Sequence, residues 1–251
     1  MLKLGVFAAL AMVAGPALAQ DAMAPQAAPQ GYLAGQPPLD ILKILPPPPA
    51  PGSPHDIADR TIYATSAAGI DGPRWADAVG QLSVTAPAFQ QQLACALGTR
   101  LSPQGTPATM ALLARAGRDM VGPMNIAKSH YARPRPFTTD KGRACDPDSA
   151  DGVGAALGFA YPSGHSGIGW LWALVLGDAA PQKAAAVRAF GVATGDLRVA
   201  CRVHWLSDVA YGRVLATAVY ERISATPAFK ADLAKAQAEL AKAEPLACPA
   251  G

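Results

Sequence analysis

The amino-acid sequence predicts an all-α protein: a single compact helical domain behind an extended, proline-rich N-terminal arm. Two observations carry the fold class. From His55 onward, apolar residues recur at three- and four-residue spacing between Pro and Gly breaks, and few Val, Ile or Tyr alternate with polar residues as a half-buried strand requires. A third observation sets the domain count, because no linker-like stretch interrupts the chain after residue 55 and about 230 residues suit one large domain.

In chain order, residues 1–19 read as an export signal. Lys3 supplies a positive start, Leu4 to Ala14 a short apolar stretch, and Ala17-Leu18-Ala19 a small-x-small cleavage site, so the mature chain is expected to begin near Gln20, in the periplasm or the medium. Residues 20–54 are rich in Ala, Pro and Gln and end in "PPPPAPGSP", a composition that favours a polyproline-like arm. Within it "LDILKIL" (39–45) is apolar enough to dock on the domain, which occupies 55–251. Asp56 to Ala68 can form one helix. Pro87 starts another with Phe89, Leu93 and Leu97 on one face, and Pro107 a third with Met110, Leu113 and Ala114 spaced to pack. The run Ile168 to Leu176 suits a buried helix but falls short of the roughly 20 residues a membrane span needs. Near the C-terminus, Thr226 can cap a helix beginning at Pro227, with Phe229, Leu233 and Leu240 as its apolar stripe and Pro245 as its stop.

Charge excludes one class of partner. The net charge of +3 is spread without a block of like charges, so a nucleic-acid-coating role is disfavoured. Cys95, Cys145, Cys201 and Cys248 belong to a chain expected to be exported, where disulfides persist. Four cysteines allow three pairings, sequence does not choose among them, and Cys201 is a candidate for a buried free thiol.

Three stretches carry chemistry. In "KSHYARPRPF", Pro134 and Pro136 end a helix near residue 132, placing Lys128 on a helix end and Arg135 on a rigid exit segment where both can face one anion. Arg133 is expected at the pocket rim. In "YPSGHSG", Pro162 and Gly164 make a tight turn, Ser163 can cap the next helix and donate its hydroxyl, and the helix offers free N–H groups to a phosphate-sized anion; His165 stands at its mouth. In "GDLRVACRVHWLSDVAYGR", His204 and Asp208 are four apart, so on a helix they share a face. The carboxylate can then fix the imidazole tautomer, which is the logic of a nucleophile with its orienting group. His55 reads as surface or capping, and His130 as solvated.

In order, Lys128-x6-Arg135-Pro136, Pro162-Ser163-Gly164-His165 and Arg198-x5-His204-x3-Asp208 resemble the three-part signature of the type 2 phosphatidic acid phosphatase superfamily, and within it the bacterial class A non-specific acid phosphatases. The resemblance implies the all-helical fold shared with vanadium haloperoxidases and an exported phosphomonoester hydrolase. It implies that Lys128, Arg135, Arg198, Ser163 and the Gly164 N–H bind phosphate, that His204 attacks phosphorus to form a phosphohistidine, that His165 protonates the departing alcohol, and that Asp208 orients His204. No metal and no cofactor are implied, the partners are small phosphomonoesters, and phosphotransfer to other alcohols and a homodimer fit the family. Leu197 departs from the pattern, standing where the family has Ser before the third-motif Arg, and it bears on substrate range. Two other readings share the cations: a haloperoxidase, whose members are longer, and a phosphate-binding protein, which would have no use for two histidines and Asp208. A membrane-embedded lipid phosphatase is disfavoured because no spanning segments are read.

Overall fold

The computed structural model describes residues 30–248; the expected export signal and the start of the arm lie outside the described residues. Ten α-helices follow one another: α1 (Ile41–Ile44), α2 (Pro54–Ser66), α3 (Pro73–Gly80), α4 (Pro87–Leu97), α5 (Pro107–Tyr131), α6 (Pro136–Thr139), α7 (Gly164–Ala179), α8 (Ala184–Ala200), α9 (Leu206–Ser224) and α10 (Pro227–Leu240). Six begin on proline, whose fixed φ and missing N–H cost nothing in a first turn, so the prolines that punctuate the sequence mark helix starts. Among the described residues there is no strand, only an isolated bridge between Thr99 and Pro245. The fold is all-α, as the sequence predicts.

Helix α7 is the centre. Its Leu171, Val175 and Leu176 are fully buried against α5, α8 and α9. Close approach at its N-terminal end depends on glycine: a Cβ on Gly212 of α9 would lie 2.5 Å from the Ser163 carbonyl oxygen, and one on Gly167 of α7 would lie 3.1 Å from the Gly212 carbonyl oxygen. Backbone therefore meets backbone where α7 begins, next to "YPSGHSG".

The α4 stripe is as expected, with Phe89, Leu93 and Leu97 in the core. That of α5 is rotated. Leu112, Leu113, Ala116 and Met120 are buried, whereas Ala114 is exposed, because the helix packs on α7, α9 and α10 together and the wider contact selects a different set of positions. Thr226 caps α10 by accepting the Phe229 N–H at 3.2 Å. This helix ends at Leu240, ahead of Pro245, since the chain there turns to donate the Leu246 N–H to the Gly98 carbonyl.

The arm docks through Tyr32, Ile41 and Leu45, all buried. The Asp119 carboxylate of α5 accepts the N–H groups of Tyr32 and Leu33 at 2.7 and 3.1 Å, which fixes the arm's register. Both disulfides form, Cys95–Cys248 and Cys145–Cys201. Cys201 is thus not a free thiol: the turn after α8 brings it beside the loop that carries Cys145, whose N–H donates to the Cys201 carbonyl at 2.8 Å. No helix among the described residues is long and apolar enough to cross a membrane.

Candidate active site

His204 lies in the turn between α8 and α9, not on a helix, because Arg202 adopts a left-handed φ of 66° and reverses the chain ahead of Leu206. Its contact with Asp208 forms by another route. Asp208 is the third residue of α9, and its Oδ2 accepts the Trp205 N–H at 2.9 Å, closing the helix N-terminus as a cap does. The same oxygen lies 3.3 Å from His204 Nδ1. The other oxygen, Oδ1, accepts from Arg133 at 2.6 Å.

Arg133 is therefore buried behind the site and not on its rim. Ala132, left-handed at φ 45°, ends α5 and turns the next residue inward, at a cost of about 1–2 kcal/mol for a non-glycine residue. The second arm of the guanidinium donates to Asp59 of α2 at 2.9 Å, and Asp59 accepts the Ser207 N–H at 2.9 Å. A buried series Asp59–Arg133–Asp208–His204 results. Asp59 was not foreseen, and its only trace in the sequence is its place one helical turn before Tyr63, on the same buried face of an otherwise polar helix.

The cations converge on the other side of His204. Arg135 NH1 is 3.0 Å from His204 Nε2, and its remaining donors reach the carbonyls of Val203, Gly158 and Leu157 at 2.9, 2.9 and 2.6 Å. Lys128, in the last turn of α5, donates to the Phe159 carbonyl. Arg198, 3% exposed, holds only a 3.5 Å contact to the Gln81 carbonyl and a 3.9 Å contact to Asp146, and its Nε has no partner. Ser163 is the N-cap of α7 and Gly164 its first residue, so the free N–H groups of a 16-residue helix open here. The Ser163 N–H donates to the Asp208 carbonyl oxygen at 2.9 Å, tying the start of α7 to α9. His165 follows, hydrogen-bonded to the Leu82 backbone, with its Nε2 buried and unpartnered.

Burial and crowding of positive charge shift these groups together. His204 falls well below the ordinary imidazole value because it is buried and then because Arg135, Lys128 and Arg198 surround it. His165 is pushed down to about 3 by burial and then Arg198. Lys128 drops to about 7, through burial and Arg135, and Arg135 and Arg198 to about 10, mainly through burial. Asp208 moves the other way, raised by burial to about 6 with Arg133 opposing the rise. The site is a compact cluster of positive charge around two histidines.

Every residue singled out from the three stretches meets here: His165, His204 and Asp208, with Lys128, Arg135, Ser163, Gly164 and Arg198. His55 and His130 do not; both are exposed, and His130 stacks on Tyr131. Leu197 packs in a buried apolar cluster with Ala78, Phe137, Cys201 and Val203.

Residues 107–227, which hold all three stretches, match the model of the PAP2 superfamily. The chain is similar to a non-specific acid phosphatase of Salmonella typhimurium, 33% identical over 78% of each chain. It is also similar to an acid phosphatase of Zymomonas mobilis (32% identical, over 81% of this chain and 76% of that one) and to a non-specific acid phosphatase of Providencia stuartii (30%, over 84% and 85%). With its three stretches assembled into one cationic pocket and with relatives similar over most of their length, the chain belongs to the PAP2 superfamily, alongside its non-specific acid phosphatases.

Proposed function

We propose that the protein is an exported acid phosphatase that hydrolyses phosphate monoesters through a phosphohistidine on His204, with no metal ion. The observation that carries this reading is the pairing of two unlike histidines across one cationic pocket. His204 is neutral and held through Nδ1 by Asp208, and His165 has an unpartnered Nε2. The first suits a nucleophile, and the second suits an acid awaiting an oxygen.

In the first step the His204 Nε2 lone pair attacks phosphorus, the bond from phosphorus to the ester oxygen breaks, and that oxygen takes the proton of His165. In the second, His165 accepts a proton from water, the water oxygen bonds to phosphorus, and the electron pair of the P–N bond returns to Nε2. An alcohol in place of water would receive the phosphoryl group instead, which is phosphotransfer. Lys128, Arg135, Arg198 and the N–H groups at the start of α7 stabilise the charge on the equatorial oxygens, the role a metal fills elsewhere.

The pocket also supports an acid optimum. With burial and the neighbouring cations holding His165 down at about 3, the proton has to arrive with the substrate, and a phosphomonoester monoanion carries one up to its second pKa of about 6. The bound dianion then raises His165 by cancelling the cations around it. Asp208, ionised above about 6, sets the acid side, so the rate should be bell-shaped and confined to the region around and below neutrality. Export is supported by the signal-like N-terminus and two disulfides. The decisive experiment is hydrolysis of 4-nitrophenyl phosphate in EDTA across pH, with a denaturing alkaline quench to trap the acid-labile phosphohistidine. Loss of activity in EDTA that metal restores, or phosphate found on a residue other than His204, would overturn the reading.

A further inference from the structure

Beside the cationic pocket runs a cleft of quite different chemistry. It has a volume of about 350 Å³ and is walled by Leu82, Val84, Met120, Val121, Met124 and Ile168. No Lys, Arg, Asp or Glu lines it; its only polar linings apart from His165 are Ser83 and Asn125. Gly164 and His165 are among its lining residues, so the cleft shares His165 with the cationic cluster of Arg198, Arg135 and Lys128. Gly167 of α7 packs against two of the walls: a Cβ there would lie 2.7 Å from the Met120 Cε and 3.4 Å from the Met124 Cε, so the missing side chain makes room for both methionines.

Three elements aim the cleft at the departing oxygen. On α5, Val121, Met124 and Lys128 fall at helical spacing along one face, and a rise of about 1.5 Å per residue puts the methionine roughly 6 Å and the valine roughly 10 Å from the lysine that meets phosphate. The α3–α4 loop is fastened to the site at both residues that matter, through the Gln81 carbonyl to Arg198 and through the Leu82 backbone to His165. His165, on α7, is shared by the two spaces.

We propose that this cleft is the leaving-group subsite and that it selects phosphate esters of apolar alcohols, aryl or medium-chain alkyl, over esters of polyhydroxylated or charged alcohols. The proposal rests on the phosphatase reading above. The alcohol whose oxygen takes the His165 proton has its carbon framework on the far side of that oxygen from phosphorus, and the walls there offer methyl and thioether groups with almost no hydrogen-bond partners. The cleft is large enough for a phenyl- to hexyl-sized group. A hydroxylated chain would lose water contacts on entering and gain none.

The test compares ethyl, butyl and hexyl phosphate with glycerol phosphate, whose primary ester position is matched, on the full-length protein. kcat/KM is expected to rise roughly threefold per added methylene until the cleft is filled, and glycerol phosphate to be no better than ethyl phosphate. Val121→Asp, a half-exposed position, should lower the hexyl-to-ethyl ratio at least tenfold, whereas Asn125→Leu should raise it. Because the two variants act in opposite directions on a ratio, a folding defect cannot produce both results. Equal kcat/KM for ethyl and hexyl phosphate in an active enzyme would overturn the subsite and leave the phosphatase reading standing. Absence of turnover on every ester would overturn both. A dimer, detected by light scattering, that buries this cleft would overturn the subsite in favour of a subunit interface.

Discussion

The two histidines of the pocket live in opposite surroundings. Both ring nitrogens of His204 have a neighbour, Asp208 on one side and Arg135 on the other, and behind Asp208 the series continues through Arg133 to Asp59. His165 has one backbone partner and a bare Nε2, and Arg198 beside it has a bare Nε. Buried polar groups are normally satisfied, and a bare one costs on the order of 1–3 kcal/mol. The His204 side is therefore hydrogen-bonded at both ring nitrogens. On the proposed mechanism the His165 side has hydrogen bonds that phosphate and the ester oxygen would fill, whereas on the His204 side substrate has to take the place of the contact between Arg135 and Nε2.

That asymmetry can be broken from either end, and the largest effect belongs to the His204 side. His204→Ala should lower kcat by roughly 10⁴-fold or more with the fold intact by circular dichroism, since on the proposed mechanism His204 carries the phosphoryl. His165→Ala should cost about 10²–10⁴ in steady-state turnover. This variant should still form an acid-quench-sensitive phosphoenzyme from 4-nitrophenyl phosphate, whose leaving group needs no proton. A phosphoenzyme missing from His165→Ala would mean that the two walls do not work separately.

Arg133→Ala attacks the buried series rather than the chemistry. Removing a cation shared by two buried carboxylates is expected to cost about 3–5 kcal/mol, a fall in Tm on the order of 10 °C for a chain of this size. The pH profile supplies the sign. Asp208 is already raised by burial, Arg133 holds it down, and without that charge the carboxylate ionises only at higher pH, so the acid limb of kcat/KM should move upward. An unmoved limb would show that Arg133 serves packing alone.

The smallest effect tests the open side. Burial and Arg135 lower Lys128 to about 7, whereas arginine stays charged throughout. The ratio of kcat/KM for Lys128→Arg to that of the unaltered protein should therefore rise as pH increases through 7. Taking the ratio removes the ionisation of the substrate from the comparison.

The same contrast explains what could be read in advance. Lys128, Arg135, Ser163, His165, Arg198 and His204 sit in short stretches whose prolines, glycines and helix caps fix the local backbone, so their types and spacing carried the site. Asp59 and Arg133 meet across 74 residues, and nothing local to either encodes the other. His204 and Asp208 meet at 3.3 Å, but the contact is made by a helix cap at the start of α9, not by two residues on one helical face.

By itself the sequence determined where helices start, because proline and capping residues act on their own backbone, and which three stretches carry the residues of the cationic pocket, because those side-chain types recur at a readable spacing. Tertiary structure alone decided the pairing of Cys145 with Cys201, the inward turn of Arg133 onto Asp59, and the apolar cleft between Leu82, Met124 and Ile168. Each of these depends on which surfaces meet when α5, α7, α8 and α9 pack, and packing is a property of distant residues brought together.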